Sequence, residues 1–404
     1  MKCRICNTHL DIVFADLVNS PPSNSFLTES ELDEPEVFYP LKTYFCDECK
    51  LVQIDEYKKS DDIFDSNYVY FSSFSNSWLE HAKKYVEEIS AKLDLKSTSF
   101  VTEIASNDGY LLQYFKEKNI PCLGIEPTSS TAAVAKKKGI DVIEDFFGSK
   151  LALSLKKSDL ILGNNVLAHV PDINDFVRAL KIALKDSGTI TMEFPHLLNI
   201  IKDNQFDTIY HEHFSYLSLH TVKMIFEAQD LKLYDVEKLS THGGSLRVYA
   251  THSDNSTFKE TENISTILVE ERDFGLLDMN LYKSFQEKAN KVKYDLVRFL
   301  LKAKQENKKV VAYGAAAKGN TLLNYAGIKA DLIDFVVDKS PYKQGMYLPG
   351  SHIPVVSEEV LRNSMPDYVL ILPWNIKDEV VTQLDYLRAK GCQFVVAVPS
   401  LEFV

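Results

Sequence analysis

Two cysteine pairs, Cys3/Cys6 and Cys46/Cys49, each with two residues between the sulfurs, put four thiolates near the start of the chain. A tight knuckle aims both sulfurs of such a pair at one ion, and soft thiolates suit a four-coordinate structural zinc ion, Zn2+. Two disulfides are the competing reading, but a secreted disulfide framework normally follows a signal peptide. The opening residues Met-Lys-Cys-Arg-Ile-Cys contain no apolar leader segment, so a reducing compartment, the cytoplasm, is expected. A closed four-sulfur site has no open coordination position, so chemistry must lie elsewhere. Tyr210-His-Glu-His-Phe-Ser-Tyr216 is the second cluster, with two imidazoles, one carboxylate and two phenols in seven residues. Histidine has the ordinary pKa closest to neutrality, which general-base work needs. In an extended chain Tyr210, Glu212 and Phe214 face one way and His211 and His213 the other, so only a bend converges them. The triplet lacks the i, i+4 histidine spacing of zinc-protease helices; a catalytic metal and a merely structural cluster stand as alternatives.

These residues need elements to hold them. From Ser99 onward, short apolar runs alternate with helix-length segments, the pattern of a doubly wound α/β sheet. Ser99–Ile104, Pro121–Glu126, Asp159–Asn165 and Gly188–Glu193 read as strands, with a helix opening near Asp108. A long amphipathic helix from about Leu281 to Glu306 leads into Lys309–Tyr313, Leu332–Asp338, Tyr368–Leu372 and Phe394–Val398, a second α/β sheet. Upstream, the paired prolines of Asn19-Ser-Pro-Pro-Ser-Asn-Ser bar a helix interior. The aromatic, hydroxyl-rich run from Tyr68 to Trp78 has the composition of a pocket wall. Cys122 and Cys392 lie in apolar surroundings and are expected in the core. The fold class is therefore α/β: two Rossmann-like domains behind a small zinc-binding module.

Ligands of doubly wound sheets sit at the carboxyl ends of the strands, where an acid ending the second strand binds ribose hydroxyls. Here the first turn is Glu103-Ile-Ala-Ser-Asn-Asp-Gly109 and Glu126 ends the second strand. A pyrophosphate prefers three glycines, and this turn has one, together with two acids. A cationic, phosphate-free nucleoside such as S-adenosylmethionine fits better. A later strand ends in Asn164 and Asn165 with His169 just beyond, the place where methyltransferases often contact the methionine moiety and the substrate. Asp145 and Phe146 would supply an acid and a ring for adenine. In the second sheet, Gly314-Ala-Ala-Ala-Lys-Gly319 lacks the middle glycine of a dinucleotide fingerprint, although Asp338 ends the next strand. A nicotinamide site, a ligand-free packing domain, and a diphosphate held by Lys318 at the helix start are the three readings, the last preferred.

A chain of 404 residues, 45% of them hydrophobic, supports two or three cores. A net charge of −12 speaks against a general nucleic-acid binder. No apolar run approaches the roughly 18–20 residues that cross a bilayer, so no membrane partner is expected.

The ordered set of Cys-x-x-Cys pairs, Glu103–Gly109, Tyr210–Tyr216, His242-Gly-Gly-Ser-Leu-Arg247 and Gly314–Thr321 resembles the nucleotide-sugar C-methyltransferases of deoxysugar biosynthesis, over essentially the whole chain. The resemblance implies a zinc-binding module over residues 1–66, a class I S-adenosylmethionine-dependent methyltransferase domain over 67–296, and a C-terminal Rossmann-like domain over 297–404 that contributes to nucleotide-sugar binding. It implies methyl transfer to the carbon beside the ketone of a nucleotide-linked keto-deoxysugar, carried by dTDP, GDP or CDP. His213 would abstract the proton, Glu212 would orient or tune it, and Tyr210 and His169 would hydrogen-bond the enolate oxygen. Tyr68, with Tyr70 as the alternative, would touch substrate. Ser106, Asn107, Asp108 and Gly109 would surround the cofactor and Glu126 would bind its ribose. Ala105 departs from the usual glycine, and its methyl narrows that space. His242, Gly243, Ser245 and Arg247 would help wall the sugar pocket. Two other classes compete: a nicotinamide-dependent sugar-nucleotide oxidoreductase and a non-catalytic scaffold recruited through its zinc module. Oligomeric state is open, a monomer being compatible.

Overall fold

The computed structural model describes residues 1–59 and 71–404. Tyr68, Tyr70 and the expected boundary at residue 66 lie outside the described residues. Three sheets form among them. The first orders Ile12–Ser20, Tyr39–Phe45, Val52–Ile54 and, as its last strand, Ser215–Tyr216 from the far side of the histidine cluster. The zinc module and the cluster are thus joined by main-chain pairing, Val52 opposite Tyr216.

The second sheet has the order Leu231–Leu239, Ser245–His252, Leu184–Pro195, Ser158–Asn164, Val101–Ile104, Cys122–Ile125, Asp141–Ile143. The five strands from Leu184–Pro195 onward are parallel, and a hairpin closes the edge antiparallel. Val101–Ile104 is buried at every position, as expected of a parallel strand covered on both faces. Strand order reverses beside it, which opens a crevice at the carboxyl ends of Val101–Ile104 and Ser158–Asn164. The helix Asn76–Lys92 covers one face with Ala82, Tyr85, Val86 and Ile89, and the Ser75 hydroxyl caps it by accepting from the Trp78 amide.

The third sheet orders Val355–Val356, Val336–Val337, Val310–Tyr313, Tyr368–Ile371, Gln393–Val396 and Glu402–Phe403. The expected strand over 332–338 shrinks to two residues, because the Leu332 amide closes a turn on the Lys329 carbonyl. The expected boundary between 296 and 297 falls inside the helix Phe285–Gln305, which runs unbroken across it. That helix shares a core with the zinc module and the third sheet: Phe14 stacks on Phe285, Phe45 stacks on Tyr282, and Leu296 and Leu300 are buried in the same cluster as Ala312 and Val336. Cys392 is buried as expected, whereas Cys122 is half-buried. No helix among the described residues is long and apolar enough to cross a membrane.

Candidate active site

A cavity of about 840 Å³ runs from the carboxyl ends of the second sheet to those of the third. At its first end the chain turns sharply after Ile104, with Ala105 at φ +55°, Asn107 at +49° and Gly109 at +72°. A side chain at Gly109 would meet Ile140 at 2.4 Å, which is why only glycine closes this turn. Ala105 and Asn107 line the cavity. Ser106, Asp108 and Gly109 do not, contrary to expectation: they face inward and fix the turn. Asp108 takes the Ser73 hydroxyl and Asn107 Oδ1 takes the Ser72 amide at 2.9 Å. The aromatic segment is thereby pinned across the turn, and Phe71, Phe74 and Trp78 line the cavity as its composition suggested.

Glu126 faces the cavity, its two oxygens accepting from the Asn107 amide at 2.8 Å and the Thr128 amide at 2.9 Å. Glu103 lies fully buried behind it, where burial and then Glu126 push its carboxyl well above the usual range. Of these three acids only Glu126 lines the cavity; neither Glu103 nor Asp108 reaches its wall. Asp145, Phe146, Asn164 and Asn165 complete this end.

The bend demanded by the Tyr210–Tyr216 cluster is a tight turn in which the His213 amide donates to the Tyr210 carbonyl at 2.9 Å. It folds the phenol back onto the imidazole, ring centroids 3.9 Å apart, and places Tyr210 Oη 2.8 Å from His213 Nε2. His213 Nδ1 is 2.8 Å from the Thr208 carbonyl. A carbonyl only accepts, so Nδ1 carries the proton and Nε2 keeps its lone pair. Burial, reinforced by the neighbouring His169, holds His213 well below the usual imidazole range. His169 packs edge-on to His213 at 4.6 Å, and burial lowers it to about 4. Glu212 does not orient His213; Thr208 does. Glu212 instead accepts from Asn24 Nδ2 at 2.7 Å, and burial raises its carboxyl to about 7. His211 points away, toward the Pro40 carbonyl and the rings of Tyr39 and Tyr57. Neither Thr208 nor Asn24 carried a sequence signal beyond proximity to the cluster or to the proline loop.

The far end is walled by Gly314, Ala316, Ala317, Lys318, Asp338, Lys339 and Lys343. Asp338 accepts from the Ala315 amide and the Ser340 amide, both at 2.8 Å. This repeats, in the second Rossmann-like sheet, the clasp that Glu126 makes in the first. Lys318 Nζ lies 3.3 Å from the His242 carbonyl and 4.5 Å above the Trp374 ring. His242 lines the cavity, but Gly243, Ser245 and Arg247 do not. Arg247 is spent elsewhere: its guanidinium pairs with Glu193 at 2.9 Å and Glu237 at 2.8 Å. Glu193 also binds His81, whose ring stacks on Trp78 at 4.9 Å.

In the zinc module, the four sulfurs of Cys3, Cys6, Cys46 and Cys49 lie within 4.8 Å of one another. A tetrahedral zinc thiolate with Zn–S near 2.3 Å needs sulfurs about 3.8 Å apart, so the set fits the ion without rearrangement. Both knuckles close identically: Asn7 and Lys50, one residue past each second cysteine, sit at φ +60° and donate to the Cys3 and Cys46 carbonyls. Gln53 Nε2 donates to Cys3 Sγ at 3.1 Å, a contact that favours thiolate. Arg4, inside the first knuckle, reaches the Ile54 and Pro171 carbonyls and so braces the segment after His169.

Family profiles match three successive stretches: a zinc binding domain over residues 3–64, a methyltransferase domain over 77–236 and a C-methyltransferase C-terminal domain over 240–399. C-methyltransferase NovU from Streptomyces niveus is 30% identical over 99% of this chain and 96% of its own. The chain is a member of the S-adenosylmethionine-dependent C-methyltransferase family. Among solved structures, the PH0226 protein from Pyrococcus horikoshii OT3 is 12% identical, covering 46% of this chain and 95% of that one at a TM-score of 0.39. Magnesium protoporphyrin IX methyltransferase from Synechocystis PCC 6803 with bound SAH is 14% identical, covering 43% and 83% at 0.35. The C-methyltransferase is an enzyme that uses S-adenosylmethionine and zinc. The donor set suits that cofactor, since Glu126, an acid on the cavity wall, favours a sulfonium nucleoside over a pyrophosphate.

Proposed function

We propose that the C-methyltransferase moves the methyl of S-adenosylmethionine onto the carbon beside the ketone of a nucleotide-linked keto-deoxysugar. The observation that carries this reading is the single cavity joining Glu126, the Tyr210–His213 pair and the Lys318–Asp338 end. It suits two ligands that meet at His213, one a nucleoside cation, the other a nucleotide anion. Glu126, Asn107, Ala105, Asp145 and Phe146 would hold the cofactor, which supplies an electrophilic sulfonium methyl.

A sugar C–H is too weak an acid for imidazole; a neighbouring carbonyl lets the electron pair move onto oxygen. His213, neutral by burial and with Nε2 unprotonated, would take the proton. As the C–H bond breaks, its electrons form the enolate, and the proton ends on Nε2. Once Nε2 is protonated it can donate to the Tyr210 oxygen, which would free the phenol O–H for the enolate oxygen, where preorganised donors give large rate gains. His169, neutral and with its ring N–H on the Glu212 carbonyl, has no second N–H to offer there. The bound cofactor would supply its electrophilic methyl to the enolate carbon, and the ketone would re-form. Because Tyr210 already hydrogen-bonds Nε2, a second route is open: the phenol oxygen takes the carbon-bound proton and passes its own to His213. Lys318, Lys339 and Lys343 would face the diphosphate, and Asp338 a sugar hydroxyl of the nucleoside. A panel of nucleotide-linked keto-sugars with methyl-labelled S-adenosylmethionine tests the reading. Label on carbon is expected; label on oxygen, or none with any keto-sugar, would sink it.

A further inference from the structure

Asp207 precedes Thr208 and is fully buried. Its Oδ2 accepts the Trp374 indole N–H at 2.7 Å, while its Oδ1 has no hydrogen-bond partner among the described residues. Burial raises its carboxyl to about 6, so it is ionised only above that pH and a nearby positive charge is needed to hold it there. Lys318 supplies it. The ammonium lies over the face of the same indole, and its own hydrogen bonds are long, 3.3 Å to the His242 carbonyl and 3.5 Å to Asn375 Oδ1. Burial lowers the Lys318 pKa and the Asp207 charge opposes that. His213 and His242 are held neutral by burial, and the Lys318 charge lowers both further. On its other side, Asp207 continues into Thr208, whose carbonyl fixes His213 Nδ1. A carboxylate, an indole and an ammonium therefore form one string, with the cavity cation at one end and the imidazole at the other.

We propose that Asp207 is a positioning residue for methyl transfer: through Trp374 it holds Lys318 as the cation that receives the substrate diphosphate, at a fixed separation from His213. The proposal rests on the diphosphate role given to Lys318 above. An indole whose N–H is tied to a carboxylate cannot tilt freely, and a desolvated cation over its face is held more strongly than one in water. The Asp207 charge has the second effect of keeping Lys318 protonated while the cavity is empty.

The test titrates dTDP, GDP and CDP calorimetrically into the full-length protein and three variants across pH 6 to about 10, a range that ends near the ordinary lysine pKa. K318M should weaken the tightest-binding diphosphate by about tenfold, the loss of one charge-assisted contact. D207N keeps an acceptor for the indole but removes the charge. It should weaken binding several-fold and shift its alkaline loss to lower pH than in the parent. W374F should weaken binding without moving that alkaline limb, because Asp207 stays charged. Unchanged S-adenosylmethionine affinity in each variant reports an intact fold. If K318M weakens binding while D207N keeps the parental affinity and alkaline limb, the proposal is overturned and the role of Lys318 survives. If K318M has no effect, or no diphosphate binds, both fall. Should D207N fail to fold, W374F decides, and parental affinity in that variant overturns the proposal.

Discussion

His213 Nε2 stands 2.8 Å from Tyr210 Oη, so the lone pair of the proposed base already receives a proton donor within the same turn. Two routes for one proton follow, and two substitutions separate them. His213→Asn should lower turnover by about 10²–10⁴, the usual range for a lost general base, and should stop solvent deuterium entering the substrate. Tyr210→Phe should be equally severe if the phenol relays the proton. If the phenol merely holds the enolate, exchange and methyl transfer should both slow, but by less than in His213→Asn, because the base remains. Exchange at the parental rate in His213→Asn would remove that residue from the chemistry.

Glu212 carries a pH signature. Its folded pKa of about 7 lies above the ordinary carboxylate value of 4.5 because it is buried. A raised pKa means the folded state binds the proton more tightly than the unfolded chain. The associated stability is therefore fully present below pH 4.5 and is lost as pH rises through about 7. A shift of this size corresponds to a few kcal/mol, at order-of-magnitude level. Glu212→Gln, which keeps an acceptor for Asn24, should melt above the parent at pH 8 and match it near pH 4.5. Melting curves at the two pH values check this, and an unchanged difference between them would mean that Glu212 titrates normally.

The legible parts of the sequence were those where chemistry is local. The cysteine spacing gave the metal set, the alternation of apolar runs gave both Rossmann-like sheets, and the density of titratable groups marked Tyr210–Tyr216. Tertiary relations left no such trace. Glu212 adjoins His213 in sequence, yet a turn directs it to Asn24, 188 residues away. Arg247 lies in a glycine-rich motif that looked like pocket wall, but alternation along the strand Ser245–His252 turns it toward Glu193 and Tyr85. The turn carrying Ser106 and Asp108 does reach the cavity, through Ala105 and Asn107, but these two side chains support it from behind. That Ser215–Tyr216 would complete the zinc module's sheet had no signal, since two residues make no pattern.

Arg247 should therefore behave as a structural residue. Its guanidinium neutralises Glu193, which is buried and also bound to His81 and to the Thr241 hydroxyl. Removing one partner of a buried pair typically costs about 3–5 kcal/mol. Arg247→Met should lower the melting temperature sharply while the KM for the methyl acceptor in the folded fraction stays near parental. A large KM change without loss of stability would instead restore Arg247 to the pocket wall.

Metal removal should act on catalysis through the sheet. The cysteine cluster sets the first knuckle, whose Arg4 holds Pro171 near His169, and the same module pairs with Ser215–Tyr216 beyond His213. Structural zinc contributes folding free energy outright, about 10–16 kcal/mol in small zinc-finger peptides. Chelation, or Cys46→Ser, should release one zinc per chain in a colorimetric assay and abolish turnover. Full activity in a zinc-free protein would break the link from module to cluster.

Gly243 tests whether the loop carrying His242 sets the far end of the cavity. It sits at φ +88°, and a Cβ there would lie 2.5 Å from the Trp374 ring and 2.9 Å from the Gln205 amide. Gln205 donates to the Gly243 carbonyl, and the neighbouring His242 carbonyl accepts from Lys318. Gly243→Ala therefore combines backbone strain of about 1–2 kcal/mol with displacement of the indole on which Lys318 rests. The opposite end, built on the Ala105–Gly109 turn and Glu126 and proposed above to hold the cofactor, shares none of these contacts. Substrate KM should rise while S-adenosylmethionine affinity holds, measured by steady-state kinetics and calorimetry on the same preparation. Equal losses of both would mean that the substitution unfolds the loop as a whole, and that Trp374 does not set the substrate end on its own.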